Sequence, residues 1–497
     1  MTRKTYYHAQ STLSTQQSYI NGVYRPNQSG DTFSTVFPGT GGQICEVETA
    51  GQDDVNASVS AAREAFQIWS TTPAAERADI MRRAAQILRD RNQELAELET
   101  LDTGKPISET STVDIISGAE VIEYFAGVAQ TIQGQHIDLP PESFAMVRRE
   151  PLGVCAGIGA WNYPMQIAMW KSAPALACGN TMVFKPAEQT PLTALKLAEI
   201  YTEAGMPPGV FNVVQGSRET GSMLVNHPDV AKVTLTGSVD TGKAVMAGSA
   251  QDLKKVTLEL GGKSPILVFE DADIENALNG VLVANFYSSG QVCSNGTRVF
   301  VHQAIYQNFI KRLAERTKAI KVGDPFDLTT QLGPLVTREH HANVMRYIEA
   351  AKASSATHIC GGEIPSAPEL SNGNYVTPAI FADCEDTQTF VQEEVFGPLM
   401  SVLSFTDESE VLTRANATLF GLAGAVFTKD FSRAHRVANQ IQAGIVWIND
   451  YNITPAEVPF GGYKQSGVGR ENGLQAIEHY TQVKTIYANL GDVPTTY

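Results

Sequence analysis

Three short segments carry side chains that together could do covalent chemistry on a carbonyl carbon. Cys293 lies in FYSSGQVCSNGTR, a Ser- and Gly-rich turn after a predicted long helix, where a thiol is accessible and its thiolate is a strong nucleophile. Glu259 ends the β-run of VTLELGGKSP, and a carboxylate at a strand end that faces a cleft can activate water. Asn162 of WNYP could donate its amide to a developing oxyanion. Each also has an ordinary interpretation: a loop cysteine, a surface glutamate and a helix cap.

Two further segments could hold a dinucleotide, although the fingerprint G-x-G-x-x-G is absent from the sequence. They are FKPAEQTP (184–191) and TGSVDTG (236–242), each a turn between a predicted strand and a predicted helix. In the first, Lys185 and Glu188 stand just beyond the strand, where an acidic side chain can accept from ribose hydroxyls. In the second, Ser238 opens a helix whose amides could meet phosphate oxygens. Taken alone, either segment is equally explained as a turn.

The order of the elements that must position these residues is typical of an α/β protein. Apolar residues recur at helical spacing over 54–69 and 78–98. From residue 152, short β-rich runs alternate with helices, which predicts βαβ units and a parallel sheet covered on both faces. A second alternating series follows a predicted helix over 273–289. The stretch 129–150 contains a Pro pair and alternates weakly, which predicts a protruding hairpin whose edge invites pairing with another subunit.

These patterns predict a doubly wound, parallel-sheet dinucleotide-binding domain, a second α/β domain that is catalytic, and a small β arm for oligomerisation. The predicted boundaries are 1–128 and 151–259 for the first domain, 260–450 for the second domain, and 129–150 with 480–497 for the arm.

Composition narrows the classes of partner. With 37 Lys and Arg against 53 Asp and Glu, the formal charge is −16, so the overall field repels nucleic acid and anionic membranes. Met1–Tyr24 has basic residues but no apolar run behind them, and no uncharged apolar stretch is long enough to span a bilayer. The six cysteines form no C-x-x-C pair, which argues against a zinc site or a disulfide framework. We therefore expect a cytoplasmic protein with free thiols.

Seven motifs carry a resemblance to a known family. WNYPMQIAMWK, FKPAEQTP, LTGS, LELGGKSP, GQVCSNGTR, QEEVFGP and PFGGYKQSGVGRENG, in this order and spacing, resemble the aldehyde dehydrogenase superfamily over essentially the whole chain. Within it, ETLDTGKPISETSTVDI, the region from REPLGV to GIGAWNYP and the ending GGYKQSGVGRENG look most like bacterial betaine aldehyde dehydrogenases. Aminoaldehyde dehydrogenases are close relatives. The resemblance implies NAD-dependent oxidation of betaine aldehyde to glycine betaine, the osmoprotectant made from choline, by a homo-oligomer built as a dimer of dimers.

The resemblance also implies a mechanism and its residues. Cys293 would attack the aldehyde, Asn162 and the Cys293 N–H would hold the oxyanion, the thiohemiacetal would pass hydride to NAD, and Glu259 would activate the water that hydrolyses the thioester. Lys171 and Glu471 match the family's charge-relay positions, with a structural role as the alternative. Glu188 favours NAD, and nearby Lys185 leaves NADP as an alternative. The implied cofactor residues are Gly159, Ala160, Trp161, Lys185, Pro186, Ala187, Glu188, Ser238, Val239, Asp240, Thr241, Gly261, Glu394 and Phe396.

Potassium sites are implied in the same way. Their ligands would be mostly backbone carbonyls, which suit a hard cation and leave little trace in sequence. The matching positions are Thr35, Val36, Asp102 and Gln189 for one site, and Leu253, Lys464 and Gly467 for the other.

The substrate's trimethylammonium group cannot donate hydrogen bonds, so an aromatic cage is the expected means of recognising it. The candidate rings are Tyr163, Trp170, Tyr287, Trp447 and Phe460, for which core packing is the alternative. Several cation-specific relatives have Trp where this chain has Tyr287 and Phe460. An aminoaldehyde or 4-trimethylaminobutyraldehyde dehydrogenase is therefore the nearest alternative.

Alternatives of other classes are a cofactor-independent cysteine thioesterase and an inactive protein on the same fold. The thioesterase needs a histidine to activate its thiol, and none of the nine histidines falls in a motif that suggests such a pair. Intact Cys293, Glu259 and Asn162 argue against the inactive protein.

Overall fold

The computed structural model describes residues 13–140 and 142–497, so predictions that fall on residues 1–12 and on position 141 lie outside the described residues. The elements of the first half are, in chain order, β1 (Ser18–Ile20), β2 (Val23–Arg25), β3 (Thr32–Val36), β4 (Gln43–Glu48), α1 (Gln52–Trp69), α2 (Ala74–Asp90), α3 (Asn92–Thr103), α4 (Ile107–Glu109), α5 (Ile115–Ala129), β5 (Gln135–Leu139), β6 (Ser143–Pro151), β7 (Val154–Ile158), α6 (Pro164–Ala177), β8 (Thr181–Lys185), α7 (Leu192–Glu203), β9 (Phe211–Val213), α8 (Arg218–Val225), β10 (Val230–Thr236), α9 (Val239–Ala250) and β11 (Lys255–Glu259).

The second half continues the alternation of strands and helices. Its elements are β12 (Pro265–Val268), α10 (Ile274–Phe286), β13 (Arg298–His302), α11 (Tyr306–Lys318), α12 (Arg338–Lys352), β14 (Thr357–Cys360), β15 (Ala379–Ala382), α13 (Thr389–Gln392), β16 (Leu399–Phe405), α14 (Glu408–Asn416), β17 (Ala423–Phe427), α15 (Phe431–Ala438), β18 (Ile445–Ile448), β19 (Gly467–Val468), α16 (Ala476–Tyr480) and β20 (Thr481–Asn489).

The first sheet has eight strands in the order β19-β11-β10-β7-β8-β9-β1-β2, and its five central strands, from β11 to β9, are parallel. The chain starts the parallel part at β7, adds β8 and β9 on one side, and then returns to add β10 and β11 on the other. The strand order therefore reverses between β7 and β10. In open α/β sheets, ligands bind in the crevice outside the carboxyl ends of the strands at such a reversal.

Helices bury both faces of this sheet, as the alternation along β8 shows. Met182 and Phe184 belong to the core cluster that contains Phe125 and Met169, whereas Val183 belongs to the cluster on the opposite face with Val55. A strand whose successive side chains are buried on opposite faces must be covered on both sides. The predicted doubly wound α/β sheet is confirmed.

The second sheet has seven strands in the order β14-β15-β16-β13-β12-β17-β18, all parallel except for the β14/β15 pair. After β18 the chain returns to the first sheet, where β19 pairs antiparallel with the end of β11 so that Gly467 lies opposite Glu259. The loop between β18 and β19 therefore runs over the cleft between the two sheets.

The third sheet, β20-β6-β5, is antiparallel, with β6 in the centre. The predicted hairpin over 129–150 is its β5/β6 pair, and the last long strand of the chain completes it. Several of its apolar side chains are exposed, including Val483 and Tyr487, at 60% and 61%.

Two predicted helices are shorter than expected. The helix over 78–98 is divided, because Arg91 adopts φ −98° and ψ 12° between α2 and α3. The helix over 273–289 ends at Phe286, because Tyr287 leaves the helical region with ψ 140°, and Ser288 and Ser289 then take left-handed conformations with φ of 50° and 56°. The second break matters for the site, since it redirects the chain just before Cys293.

Candidate active site

A cavity of about 490 Å³ lies at the carboxyl ends of β7, β10 and β11, where the strand order of the first sheet reverses, and the turn that contains Cys293 closes it from the second domain. Most of the residues predicted from sequence to form a site lie on its wall. These are Gly159, Ala160, Trp161, Asn162, Tyr163, Trp170, Ala187, Gln189, Ser238, Thr241, Glu259, Gly261, Tyr287, Cys293, Glu394, Phe396, Phe460 and Glu471. Lys171, Lys185, Pro186, Glu188, Val239, Asp240 and Trp447 were predicted for the site and are not on the wall.

Cys293 is half-buried, unlike the other five cysteines, which are buried. Burial raises the pKa of its thiol to about 12, and the carboxylates of Glu259 and Glu394 raise it further. The backbone amides of Ser294 and Cys293 act in the opposite direction. Without cofactor or substrate the side chain is therefore a neutral thiol, and it needs a base before it can attack a carbonyl.

Asn162 is held by the segment that carries the thiol. Its Nδ2 donates to the backbone carbonyl of Gln291 at 2.9 Å, which leaves the second N–H of the amide for another acceptor. The alternative role of helix cap is wrong, because the cap of α6 is Tyr163 and no side chain caps that helix. Asn162 is thus a fixed hydrogen-bond donor on the cavity wall.

Glu259 ends β11 and is 4% exposed, and neither carboxylate oxygen has a hydrogen-bond partner among the described residues. Burial and the charge of Glu471 raise its pKa well above the usual range, while Lys171 and Arg470 lower it. A carboxylate whose pKa lies above the usual range binds a proton more strongly than an exposed glutamate does, which suits a general base.

Lys171 and Glu471 form a buried ion pair behind Glu259, with their side chains 0% and 2% exposed. Thr234 donates to the same Glu471 oxygen at 3.1 Å. Glu471 also pairs through its backbone with Phe460, so the return segment places both side chains on the cavity wall. The pair thus touches the site through Glu471 while Lys171 stays behind it.

Glu394 lies against the two glycines that follow Glu259. Its Oε1 accepts from the Gly262 N–H at 3.0 Å, and a Cβ at Gly261 would come within 2.0 Å of its Oε2. Burial raises the pKa of Glu394 to about 7. Only glycine at 261 leaves room for this carboxylate on the wall.

The opposite part of the cavity fits a dinucleotide. α9 begins at the carboxyl end of β10, and its cap Ser238 accepts from the Thr241 N–H, so the first amides of the helix face the crevice. Beyond β8, Glu188 is exposed, and burial lowers the pKa of Lys185 to about 8. This arrangement suits the phosphates and a ribose of a dinucleotide, and the contact made by each residue stays a prediction.

Aromatic rings line the remaining wall. Trp170 and Phe460 are in edge contact, with ring centroids 5.6 Å apart. Tyr163 and Tyr287 also face the cavity, and the Tyr163 hydroxyl is 2.9 Å from Ser288 Oγ. The ring of Tyr163 is not free on both faces, because Lys105 Nζ lies 3.4 Å from its centroid.

Trp447 is the one predicted cage residue that the structure places elsewhere among the described residues. It is 8% exposed, packs against Tyr451 with centroids 4.7 Å apart, and donates from Nε1 to the Ile453 carbonyl. Its position on β18 points it into the core of the second sheet. Core packing, the alternative, is therefore correct for this residue.

The two predicted potassium sites differ in whether their residues lie close together. Asp102 is fully buried beside Thr35, on the edge of β3 that also carries Val36, and its Oδ1 has no hydrogen-bond partner among the described residues. Gln189 lies three residues before Leu192, whose N–H donates to Asp102 Oδ2 at 2.9 Å. The buried, unpaired Oδ1 of Asp102 could take a hard cation, and the role of the whole set stays a prediction.

The residues of the second set do not come together within one chain. Leu253 precedes β11, whereas Gly467 pairs with Glu259 at the other end of that strand. Four residues of extended strand span roughly 13 Å. Leu253 is also 91% exposed, and Lys464 Nζ already donates to the carbonyls of Asn416 and Thr418. These residues do not converge on one ion.

Several wall residues escaped sequence reasoning. His340 packs against Trp161 at 5.2 Å between ring centroids, and its Nε2 bonds the Phe396 carbonyl at 2.8 Å, so no described contact makes it a partner of the thiol. Nothing in its helix, REHHANVMRYIEAAK, distinguishes it from an ordinary surface residue. The other wall residues are Val113, Ile158, Gln166, Ile167, Leu235, Thr236, Gly237, Leu260, Val292, Ser294, Asn452 and Thr454.

Fold and site together define a member of the aldehyde dehydrogenase family, and the chain belongs to it: the family model matches residues 24–486. The chain is 54% identical over 479 residues to the betaine aldehyde dehydrogenase of Brucella anthropi, a match that covers 96% of this chain and 98% of that protein. The betaine aldehyde dehydrogenase of Staphylococcus aureus in complex with NAD+ superposes with a TM-score of 0.95 at 39% identity, covering 97% of this chain and 96% of that one. The NAD+ complex of an aldehyde dehydrogenase from Bacillus cereus gives 0.94 at 43%, covering 96% and 97%. The resemblance seen in the motifs is confirmed.

Two features are absent from the described residues: a membrane-spanning helix and a group of metal-binding side chains. Across 13–140 and 142–497, no helix is long and apolar enough to cross a membrane. In the same ranges, no three side chains of His, Cys, Asp or Glu are grouped so that they could hold a metal ion.

Proposed function

We propose that this aldehyde dehydrogenase oxidises betaine aldehyde to glycine betaine with NAD. One observation carries the proposal: the wall that holds Cys293 presents Trp170, Phe460, Tyr163 and Tyr287 as well as carboxyl groups, and within the described residues it carries no lysine or arginine side chain. Aromatic faces and carboxylates attract a quaternary ammonium group, which cannot be recognised by hydrogen bonding. The 54% identity to a protein named betaine aldehyde dehydrogenase supports the same substrate.

The residues on the wall account for each protein step. The Cys293 thiol loses its proton to solvent, its Sγ forms a bond to the aldehyde carbon, and the second N–H of Asn162 with the Cys293 amide holds the oxyanion. NAD, when bound, accepts the hydride. The product is a thioester on Cys293. Glu259 then deprotonates a water molecule, whose oxygen bonds to the acyl carbon as the C–S bond breaks, and the acid and the thiol are released.

NAD rather than NADP is proposed because Glu188 follows β8 and is exposed at the rim of the crevice. A carboxylate there accepts from ribose hydroxyls and repels a 2′-phosphate. Replacing Glu188 with Ala should reduce the ratio of kcat/KM for NAD to that for NADP. An unchanged ratio would remove Glu188 from this role.

The proposed substrate is tested with a matched pair of aldehydes. Betaine aldehyde and 3,3-dimethylbutanal have the same shape, and only the first carries a positive charge. Betaine aldehyde should have the higher kcat/KM by at least tenfold, the combined effect of about two favourable cation–π contacts. Equal values, or a preference for the neutral aldehyde, would reject the proposed substrate.

The second candidate is oxidation of an aminoaldehyde or of 4-trimethylaminobutyraldehyde. It is favoured by the presence of Tyr287 and Phe460 where several cation-specific relatives have Trp, since the smaller rings leave more room at the head-group end. Measuring kcat/KM for 3-aminopropanal and 4-trimethylaminobutanal beside betaine aldehyde separates the two candidates.

A homo-oligomer is also proposed, through the sheet formed by β5, β6 and β20. Its exposed apolar side chains include Ile137, Met146, Val483, Ile486 and Tyr487. An exposed apolar surface on a protruding sheet is typical of a subunit contact. Light scattering on the full chain and on a chain with Val483→Lys and Tyr487→Lys should give a larger mass for the first, and equal monomer masses would reject the proposal.

A further inference from the structure

A cluster of buried charges lies directly behind the head-group end of the cavity. Lys105, Glu109 and Asp114 are 3%, 7% and 0% exposed, and none of them is on the cavity wall. All three belong to the segment that leads from α3 to α5, which passes through α4 and one π-helical turn, Thr110–Asp114. Buried charges are costly unless they are paired or have a function.

The charges in the cluster do not cancel. Lys105 Nζ is in ion-pair contact with Asp114, which leaves Glu109 without a cation in contact among the residues that the structure describes. Both oxygens of Glu109 instead accept from Ser288, whose N–H lies at 3.1 and 3.2 Å and whose Oγ lies at 2.9 Å. Glu109 is therefore the surplus negative charge of the cluster, held by neutral donors.

Burial raises the pKa of Glu109 to about 7, against the lowering effects of Lys105 and Ser288. At pH 8 most of Glu109 is ionised. The negative charge is thus present under ordinary assay conditions.

Ser288 connects this charge to the cavity. Its Oγ contacts both Glu109 Oε2 and the Tyr163 hydroxyl, each at 2.9 Å, and Tyr163 lies on the wall. Tyr287, the neighbour of Ser288, is also on the wall, and its hydroxyl has no hydrogen-bond partner among the described residues. Glu109 therefore lies two side chains away from any head group in the cavity.

The position of Lys105 makes a compensating charge necessary. Its ammonium covers one face of the Tyr163 ring at 3.4 Å from the centroid. A substrate cation beside that ring meets the repulsion of Lys105, and Asp114 alone can only balance it. The additional carboxylate of Glu109 makes the local field attractive to a cation.

We propose that Glu109 is a specificity-determining residue, whose buried charge, two side chains behind the cavity, selects aldehydes with a cationic head group over neutral aldehydes of the same shape. This inference rests on the proposed function, because it explains how the proposed substrate is preferred. Glu109 does not touch the substrate, so it acts through the field and not through contact. A charge at roughly 8–10 Å in a partly buried site changes a rate ratio by roughly tenfold.

The test compares betaine aldehyde with 3,3-dimethylbutanal at pH 8 in wild type and in Glu109→Gln. Glutamine keeps the size of the side chain and an acceptor for Ser288. The ratio of kcat/KM, cationic over neutral, should fall roughly tenfold, with the value for 3,3-dimethylbutanal nearly unchanged. A drop of equal size for both aldehydes would show a purely structural role and would overturn the inference.

Two further variants keep the result interpretable. Ser288→Ala breaks the link to Tyr163 and removes one donor from Glu109, which raises the pKa of Glu109, so this variant and wild type are compared at pH 9 to keep the carboxylate ionised. Both substrates should lose rate by similar factors there; a fall in the ratio like that of Glu109→Gln would assign selectivity to ring placement and overturn the inference. Glu120→Gln removes an exposed charge from α5 and should leave the ratio unchanged. If Glu120→Gln lowers the ratio equally, net charge explains the effect and Glu109 has no special role.

The failure of this inference can be told from the failure of the proposed function. A wild-type enzyme without any preference for the cationic aldehyde would reject the proposed substrate as well. A wild-type preference that survives in Glu109→Gln rejects this inference alone.

Discussion

Asn162 donates its side-chain amide to the backbone carbonyl of Gln291 at 2.9 Å, two residues before the nucleophile. Gln291 is itself held, since its Oε1 accepts from the Val336 N–H at 3.0 Å. Asn162 follows β7 of the first sheet, and Gln291 lies in the turn before β13 of the second sheet. The hydrogen bond therefore fixes the donor and the thiol relative to each other across the cleft before any substrate enters.

Replacing Asn162 with Ala should lower kcat by roughly 10²- to 10³-fold, because one preorganised donor to the oxyanion is lost. Asn162→Asp keeps the shape but replaces the donor by an acceptor, so it should be at least as severe. Steady-state rates with saturating aldehyde provide the measurement. A kcat within threefold of wild type in Asn162→Ala would remove the residue from oxyanion stabilisation.

The thiol of Cys293 should react faster when a neighbouring carboxylate is removed. Glu394 raises the pKa of Cys293, so Glu394→Gln should lower it and increase the thiolate fraction at a fixed pH. The alkylation rate with iodoacetamide, measured from pH 7 to 10 without cofactor, should then rise at lower pH than in wild type. Cys293→Ala identifies the reacting thiol, and identical pH profiles in wild type and Glu394→Gln would contradict the argument.

Loss of Glu259 should separate hydride transfer from hydrolysis. With Glu259→Gln the water has no base, so the thioester accumulates and NADH appears as a single burst followed by a slow steady state. The burst amplitude, compared with the enzyme concentration, and mass spectrometry of the acylated protein provide the measurement. A full steady-state rate in this variant would assign the base to another residue.

Lys171 should lower the pKa of Glu259 without contacting it. Its positive charge lowers the pKa of Glu259, so Lys171→Met should raise that pKa and move the acid limb of the kcat profile to higher pH. The sign follows because Glu259 must be deprotonated to act and a higher pKa delays deprotonation. Removing one partner of the buried pair with Glu471 should also cost about 3–5 kcal/mol of stability. An unchanged acid limb with lower stability would make Lys171 purely structural.

Sequence reasoning succeeded where a motif sits at the end of a strand. Glu259 follows the β-run of VTLELGG, Trp161 and Asn162 follow β7, and Ser238 follows β10, so the reversal of strand order brings all of them to one crevice. The spacing of the apolar residues was enough to predict the sheet that brings these residues together.

Sequence reasoning failed where the position of a side chain depends on contacts between distant segments of the chain. Trp447 lies next to cleft residues in sequence, yet the parallel pairing of β18 turns it into the core. The left-handed Ser288 is stabilised by Glu109, which is 179 residues earlier in the chain, and no local pattern encodes this contact. His340 reaches the wall on an otherwise ordinary amphipathic helix.

Asp102 provides a test of the first potassium set. Burial raises the pKa of this carboxyl to about 8, although the hydrogen bond from the Leu192 amide opposes the shift. Since the folded chain holds this proton more tightly than the unfolded chain, the contribution of Asp102 to stability falls as the pH rises from about 4 to about 8. A cation bound at Oδ1 would offset this loss, because it favours the ionised form. Potassium should therefore raise the unfolding temperature more at pH 8 than at pH 6, compared with tetramethylammonium at equal ionic strength. Asp102→Asn should lose that increment, and the same increment in the variant and in wild type would show that Asp102 binds no cation.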